Sequence, residues 1–453
     1  MAKSQLQEPR PADYPSPAYG WYVVVILTLA YMVSFIDRQI MALMVEPIRH
    51  DLEISDTQIS LLLGLAFAIF YTVLGIPIGR LADLYSRRII IISGISIWCL
   101  MTAACGLARN YTQLFLMRVG VGVGEAALSP GALSMISDYF PKDTRVRAVS
   151  FYTMGISLGV GTAMILGGQV IEYVYSIPRL TLPVIGELYP WQTVFLVVGL
   201  PGLVMALLML TIKEPKRRER LIFSPTHGEK AYHMPFASVV GFINQRRQMY
   251  GSHFVGLSIV AILAYGFYAW IPTMFIRTWG WSIGEIGMAY GLVTLISGPL
   301  AALLAAWTSE YLARKHDDAH MRAAFIGVIV GVIASVLAPL MPTPELSVIM
   351  LLPASTGTSM ATAAGISALI IVTPNQMRAQ ASALFYFVIN ILGLTIGPTG
   401  IALVTDYIFQ DDTALRYSIA IVAVSSGVIA IAVLLYNLPR YRFAYSESKD
   451  WLD

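Results

Sequence analysis

Twelve stretches of roughly 20 apolar residues, each followed by a short polar break, set the rhythm of this chain. They lie near residues 20–45, 58–80, 88–108, 111–137, 147–175, 190–212, 248–276, 284–310, 322–341, 345–372, 379–405 and 414–437. That length is what an α-helix needs to cross a bilayer, where every backbone polar group must be satisfied within the segment. The pattern predicts an all-α integral membrane protein with twelve transmembrane helices, spans 1 to 12 in chain order. The longest break divides six spans from six, giving a tail at 1–19, a six-helix bundle at 20–212, a linker at 213–247, a second bundle at 248–437 and a tail at 438–453. The break between spans 5 and 6, SIPRLTLPVIGELYP, has strand-like composition and reads as a small hairpin.

Composition agrees with the pattern. Apolar residues make up 57% of the chain and charged residues only 13%, about half the charged share of an ordinary soluble domain. Cys99 and Cys105 are too few for a disulfide framework and read as free thiols within span 3. The first 20 residues are polar and proline-rich, with no cleavable leader.

Charge orients the spans. Of the 30 Lys and Arg, 23 fall in the two tails and the breaks after spans 2, 4, 6, 8 and 10. Five (Arg49, Arg109, Arg179, Arg277 and Arg416) fall on the other side, and Arg38 and Arg118 lie inside spans. The excess of basic residues predicts that both termini are cytoplasmic. The basic linker segment KEPKRRER reads as part of that same bias, although it could also attract anionic lipid head groups.

The two halves repeat one another at an offset of 227 to 234 residues. GRLADLYSRR at 79–88 corresponds to AWTSEYLARK at 306–315, which pairs Asp83 with Glu310. Pro141 and Arg145 correspond to Pro374 and Arg378, and Phe151, Tyr152 and Gly159 to Phe385, Tyr386 and Gly393. Six plus six helices with a site between the halves is the plan of one large class of secondary transporters.

The candidate chemistry lies within the first half. Arg118 and Glu125 are seven residues apart on span 4, nearly two turns, so they share a face about 10 Å apart along the axis. Asp37 and Arg38 sit on span 1, with Asp37 at a depth similar to Arg118. Charges at such depth are kept where they pair or face a water-filled cavity, so the set is either a structural ion-pair cluster or a substrate and proton site. Two acids and two bases sum to zero. An anionic substrate would engage Arg38 or Arg118, and a proton would neutralise Glu125 or Asp37. The matching positions of the second half are uncharged and surrounded by Tyr265, Tyr268, Trp270, Thr358 and Asn390, either a packing set or an apolar wall opposite the charged one.

At these residues the chain resembles the major facilitator superfamily. Gly79, Asp83, Arg87 and Arg88 meet the family's loop motif, with Ser86 where glycine is usual, and Arg118 followed by Gly120, Gly122 and Gly124 is similar to its span 4 pattern. The resemblance implies two pseudo-symmetric bundles and a gate at the loop motifs, comprising Gly79, Asp83, Arg87, Arg88 and Arg145, with Glu310 and Arg314 in the second half. Within that superfamily SFIDRQIM, GRLADLYSRR, RVGVGVGEAALSPGALSMISDYFP and WQTVFLVVGLPGL resemble the spinster-like lipid transporters. That narrower resemblance implies a polar cluster at Asp37, Arg38, Arg118 and Glu125, and amphipathic substrates such as sphingosine-1-phosphate or lysophospholipids. For a bacterial relative it also implies proton coupling.

The expectation is therefore a monomeric, multi-pass transporter of the bacterial inner membrane, working by alternating access. Its partners would be protons, membrane lipids and an amphipathic anion held by Arg38 and Arg118, with Tyr265, Tyr268, Trp270, Thr358 and Asn390 opposite. Glu125, with Asp37, would carry the proton. Two other readings stand beside it: a proton-coupled symporter of small organic anions, and a non-transporting receptor or scaffold on a transporter fold. Scattered His and Cys lack metal-ligand spacing, no nucleophile has a neighbouring base, and no nucleic-acid signature or cofactor motif is present. The chain does not read as an enzyme.

Overall fold

In the computed structural model, residues 14–183, 186–217, 236–374 and 376–449 are described. They include twelve helices long and apolar enough to cross a membrane: Pro17–Leu43, Asp56–Ala82, Arg87–Cys105, Tyr111–Tyr139, Arg147–Ser176, Pro190–Met209, Arg247–Trp279, Ile283–Ala313, Ala319–Leu340, Pro344–Ile371, Gln380–Phe409 and Asp412–Ser448. These are spans 1 to 12. Span 1 begins and span 12 finishes at one end of the bundle, here the near end; the opposite end is the far end.

Helix starts follow local capping chemistry. Ser55 and Gln58 form a capping box at span 2, and Ser282 and Glu285 form another at span 8. Ser86, where the family motif has glycine, is the N-cap of span 3. Several spans are broken. Span 2 is interrupted at Gly64 and span 4 at Ala126–Ala127, directly after Glu125, while span 11 closes in a π-helical turn at Val404–Phe409. The hairpin between spans 5 and 6 forms, with Thr181 opposite Glu187 and Leu182 opposite Gly186.

Two stretches outside the expected spans are helical. The last helix, Leu415–Lys449, runs on through the stretch expected as a tail from 438. It is fastened there by Tyr441, whose hydroxyl donates to the Ala368 carbonyl, and by Arg442, which donates to Asp318. The stretch expected as linker contains the helix Phe236–Gln245, and the Arg246 guanidinium lies 4.3 Å from the Phe242 ring. Hydropathy missed both because each helix is too polar or too short for a span.

The repeat is visible in atoms. Arg145 N–H donates to Pro141 O and its Nε to Phe140 O; Arg378 N–H donates to Pro374 O and its Nε to Thr373 O. Each arginine thus closes the same proline turn in its own half. One buried apolar cluster runs from Ile40, Met44, Ile59 and Trp191 of the first half into Trp270, Phe275 and Tyr290 of the second, whereas another, with Phe67, Trp98, Val121 and Tyr152, belongs to the first half alone. The first-half members of the shared cluster lie toward the far end. A Cβ added at Gly64 would lie 2.1 Å from the Leu394 carbonyl oxygen, so spans 2 and 11 of opposite halves touch backbone to backbone there.

Candidate functional site

Glycine on span 4 brings the intramembrane charges together. A Cβ at Gly122 would lie 2.7 Å from the Phe67 carbonyl oxygen, so this position admits nothing larger and span 4 crosses span 2 at close range. Arg118 and Glu125, one turn to either side, are thereby pressed against spans 1 and 2. The helix break after Glu125 sets that carboxylate at the end of its helical segment.

All four charged residues meet, but not as two simple pairs. Arg38 donates through Nε to Glu125 Oε2 at 2.6 Å, with NH2 2.5 Å from the same oxygen. Arg118 instead donates to two main-chain carbonyls, Asp37 O at 3.3 Å and Leu62 O at 3.4 Å. Asp37, Arg118 and Glu125 are each at most 2% exposed, while the Arg38 side chain keeps 17%. Among the described residues, both Asp37 carboxylate oxygens and Glu125 Oε1 are buried without a hydrogen-bond partner. Burying an unpaired charge is costly, so these oxygens are the groups of the cluster with most to gain from a proton or a further donor.

Three aromatic rings enclose the Arg38 guanidinium: Phe35 at 4.9 Å, Phe67 at 4.6 Å and Tyr71 at 4.7 Å. The sequence reading missed this cage. Its signal was present, since Phe35 is one turn before Arg38 and Phe67 and Tyr71 are four apart on one face of span 2.

The second-half residues separate into three places. Tyr265, on span 7, lies near Arg38 and Tyr71 of the first half, and its hydroxyl donates to Asn390 Oδ1 at 2.9 Å. Tyr268 and Thr358 line a small pocket, of a size for about one water molecule, inside the second half, with Tyr290, Ser335 and Ser355. Trp270 is fully buried, its indole N–H donating to Pro398 O at 2.9 Å. It packs span 7 against span 11. Its Nε1–H needed a partner, and the Pro398 carbonyl supplies one.

At the near end, Arg87 is buried and its guanidinium serves Asp138, Glu214, Ser134 and the Pro215 carbonyl. Glu214 also accepts from the Ser86 hydroxyl and the Arg88 N–H, each at 2.8 Å. Burial pushes the Glu214 carboxyl up, but these bonds outweigh it and hold the group below its ordinary value. Arg87 and Arg88 thus tie spans 3 and 4 to the chain after span 6, within one half. A Cβ at Gly79 would be 3.7 Å from Pro130, and Glu310 and Arg314 are exposed. Asp83 belongs to the helix Leu65–Leu84, and its side chain lies outside the described part of the structure.

The far end holds an ion network that the sequence reading passed over. Asp56, fully buried, accepts from Arg277 NH1 at 2.7 Å and NH2 at 2.8 Å, with Arg49 Nε 3.1 Å away. Arg277 Nε reaches Glu46 at 2.6 Å, and Arg49 NH1 reaches Asp412 at 2.8 Å. Local sequence marks Arg49 and Arg277 only as outer-loop charges, because it does not signal the partners each has in the other half, Asp412 for Arg49 and Asp56 for Arg277. The network joins the two halves.

A sequence model of the Major Facilitator Superfamily matches residues 27–398. The chain is 28% identical over 434 residues to an MFS-type efflux pump of Mycolicibacterium smegmatis, with 95% of each chain covered. It is 24% identical over 322 residues to the protein spinster of Drosophila melanogaster, covering 69% of this chain and 49% of that one, so it spans about half the length of that relative. It is also 27% identical over 278 residues to the hexuronate transporter of Escherichia coli (strain K12), covering 59% and 60%. Among solved structures, a bacterial homologue of the human lysosomal transporter Spinster, in an inward-facing and unoccupied conformation, shares the fold. Its TM-score is 0.77 at 24% identity, covering 96% of this chain and 99% of that one.

Proposed function

This chain belongs to the Major Facilitator Superfamily of membrane transporters, and we propose that it moves an amphipathic anion by proton-coupled alternating access. It is a multi-pass membrane transporter and not an enzyme. The near end, rich in Lys and Arg, is assigned to the cytoplasm by the positive-inside bias.

The observation that carries the reading is the competition built into Arg38. Its guanidinium is the accessible cation of the cluster, and Glu125 already occupies it at 2.5 Å. A proton on Glu125 removes the competing charge and leaves the guanidinium fork for a phosphate or carboxylate head group. Asp37, buried beside Arg118, is the second acid of the cluster that can take up a proton. Arg118 holds spans 1 and 2 by their carbonyls and shapes the site from behind. The aromatic rings around Arg38, with Tyr265 opposite, suit the junction between a charged head and an apolar chain.

A second reading is supported by the sugar-acid relatives: a symporter of small organic anions. It would require polar groups from both halves around a hydrophilic molecule, and near Arg38 the second half supplies Tyr265 with its partner Asn390. Uptake into proteoliposomes under an imposed pH gradient, comparing a lysolipid with a sugar acid, tests both. Gradient-driven movement of the lysolipid and not the sugar acid is expected; the opposite result selects the second reading.

A further inference from the structure

Two carboxylates hold the far ends of the halves together, and they are related by the internal repeat. Glu172, near the end of span 5, accepts from the Ser282 hydroxyl at 2.7 Å and the Gly284 N–H at 3.0 Å, in the first turn of span 8. Asp406, in the closing π-turn of span 11, accepts from the Thr57 N–H at 2.7 Å and its hydroxyl at 2.6 Å, in the first turn of span 2. Glu172 and Asp406 are 234 residues apart, and Thr57 and Gly284 are 227 apart, the two limits of the repeat offset.

The geometry points to Glu172 and Asp406 as a symmetric pair of clasps, each capping a helix of the opposite half, both of which must release for the far end to open. The first amides of a helix have no partner within it and lie at its positive end, so a carboxylate is their natural acceptor. In both helices a local capping box serves the third amide, through Ser55 with Gln58 and Ser282 with Glu285. The clasp takes the amide of the second residue, which the box leaves over: Thr57 in one helix and Gly284 in the other. The residues around each amide are fitted to the acid. A Cβ at Gly284 would fall 2.3 Å from the Glu172 carboxyl carbon, and the side of Thr57 contributes a hydroxyl donor.

A cap made within one half would move with its helix and be indifferent to the transport cycle. These cross between halves, so they exist only while the far end is closed, and losing them leaves charged acceptors and helix amides to be resolvated. The inference rests on the alternating-access reading above.

The test uses the full chain in nanodiscs with spin labels at His50→Cys and Glu345→Cys, exposed positions on opposite halves, leaving the buried Cys99 and Cys105 in place. The far-end-open fraction should rise about fivefold in Glu172→Ala or Asp406→Ala, the scale of one lost N-cap. The double variant should approach the product of the two, because the clasps share no atoms. Glu172→Gln and Asp406→Asn, which keep an acceptor oxygen, should fall between wild type and alanine. Should the alanine variants fail to fold, Gly284→Ala expels the carboxylate from the donor side with both acids intact and should open the far end similarly. Wild-type distances that change during turnover, alongside unaltered distributions in the alanine and Gly284→Ala variants, would overturn the clasps alone. Wild-type distances that stay fixed while transport proceeds would overturn the clasps together with alternating access.

Discussion

Arg87 and Asp318 hold equivalent corners of the two halves with opposite charge. Each stands at the near-end start of the third span of its half, and each is buried among partners of the other sign: Asp138 and Glu214 around Arg87, Arg322 and Arg442 around Asp318.

The Asp318 hub has a pH signature. Burial pushes its carboxyl up, but the bonds from Arg442 and Arg322 outweigh this and hold it below the ordinary carboxylate value. A depressed acid contributes stability that is present above the unfolded pKa of about 4 and is lost as pH falls through the lower folded value. Asp318→Asn should therefore cost about 1–2 kcal/mol at neutral pH, discounted because both arginines are partly exposed. The difference from wild type should vanish in acid. Thermal unfolding in detergent between pH 7 and pH 3 would measure it; an equal gap at both ends would refute the linkage.

Arg87 should be less forgiving. It is 1% exposed and its guanidinium serves two carboxylates and two main-chain oxygens, so Arg87→Ala strips the buried cation from both acids at once, at about 3 kcal/mol. Arg87→Lys should recover only part, because an ammonium cannot reproduce the planar fork. Full recovery of thermal stability by lysine would show that charge alone matters there.

Much of this architecture could be read without coordinates, for reasons that the exceptions make plain. Membrane helices must satisfy their own backbone, so the twelve apolar runs translate directly into spans. The charges at Asp37, Arg38, Arg118 and Glu125 stood out because ionised groups are rare in such runs, and the structure gathers all four. What one-dimensional reading could not supply is direction. It had no means of seeing that Arg118 turns to carbonyls while Arg38 takes Glu125, or that Trp270 is consumed by Pro398. The far-end residues Asp56, Arg277, Glu172 and Asp406 were missed because they border the spans, where charge is ordinary. Their meaning arises from partners in the other half.

Gly64 should be a conformational control point. An added Cβ would meet the Leu394 carbonyl at 2.1 Å, and backbone cannot give way as a side chain can. Gly64→Ala should disfavour the far-end-closed state by at least about 1.4 kcal/mol, a tenfold shift in population. The same spin-label pair at His50→Cys and Glu345→Cys would read it. A distribution identical to wild type would mean that spans 2 and 11 slide past one another at no cost.

Arg38 and Glu125 separate head-group binding from chain binding. If Glu125 and the substrate compete for one guanidinium, Glu125→Gln should tighten binding of an anionic amphiphile at neutral pH and flatten its pH dependence, since the competing charge is gone. Arg38→Ala should weaken every member of a series sharing one head group by a similar factor, about tenfold or more for a lost charged hydrogen bond. Affinity in the wild type should climb with chain length, up to about 0.8 kcal/mol per methylene that is buried. Both slopes can be measured by titration calorimetry with lysolipids of increasing length. A flat chain-length series, with tight binding of a short hydrophilic acid, would transfer the site to the small-anion reading. A Glu125→Gln variant that keeps the wild-type pH dependence would remove that residue from coupling and leave Asp37 as the acid to examine, since it is the other carboxylate buried in the cluster.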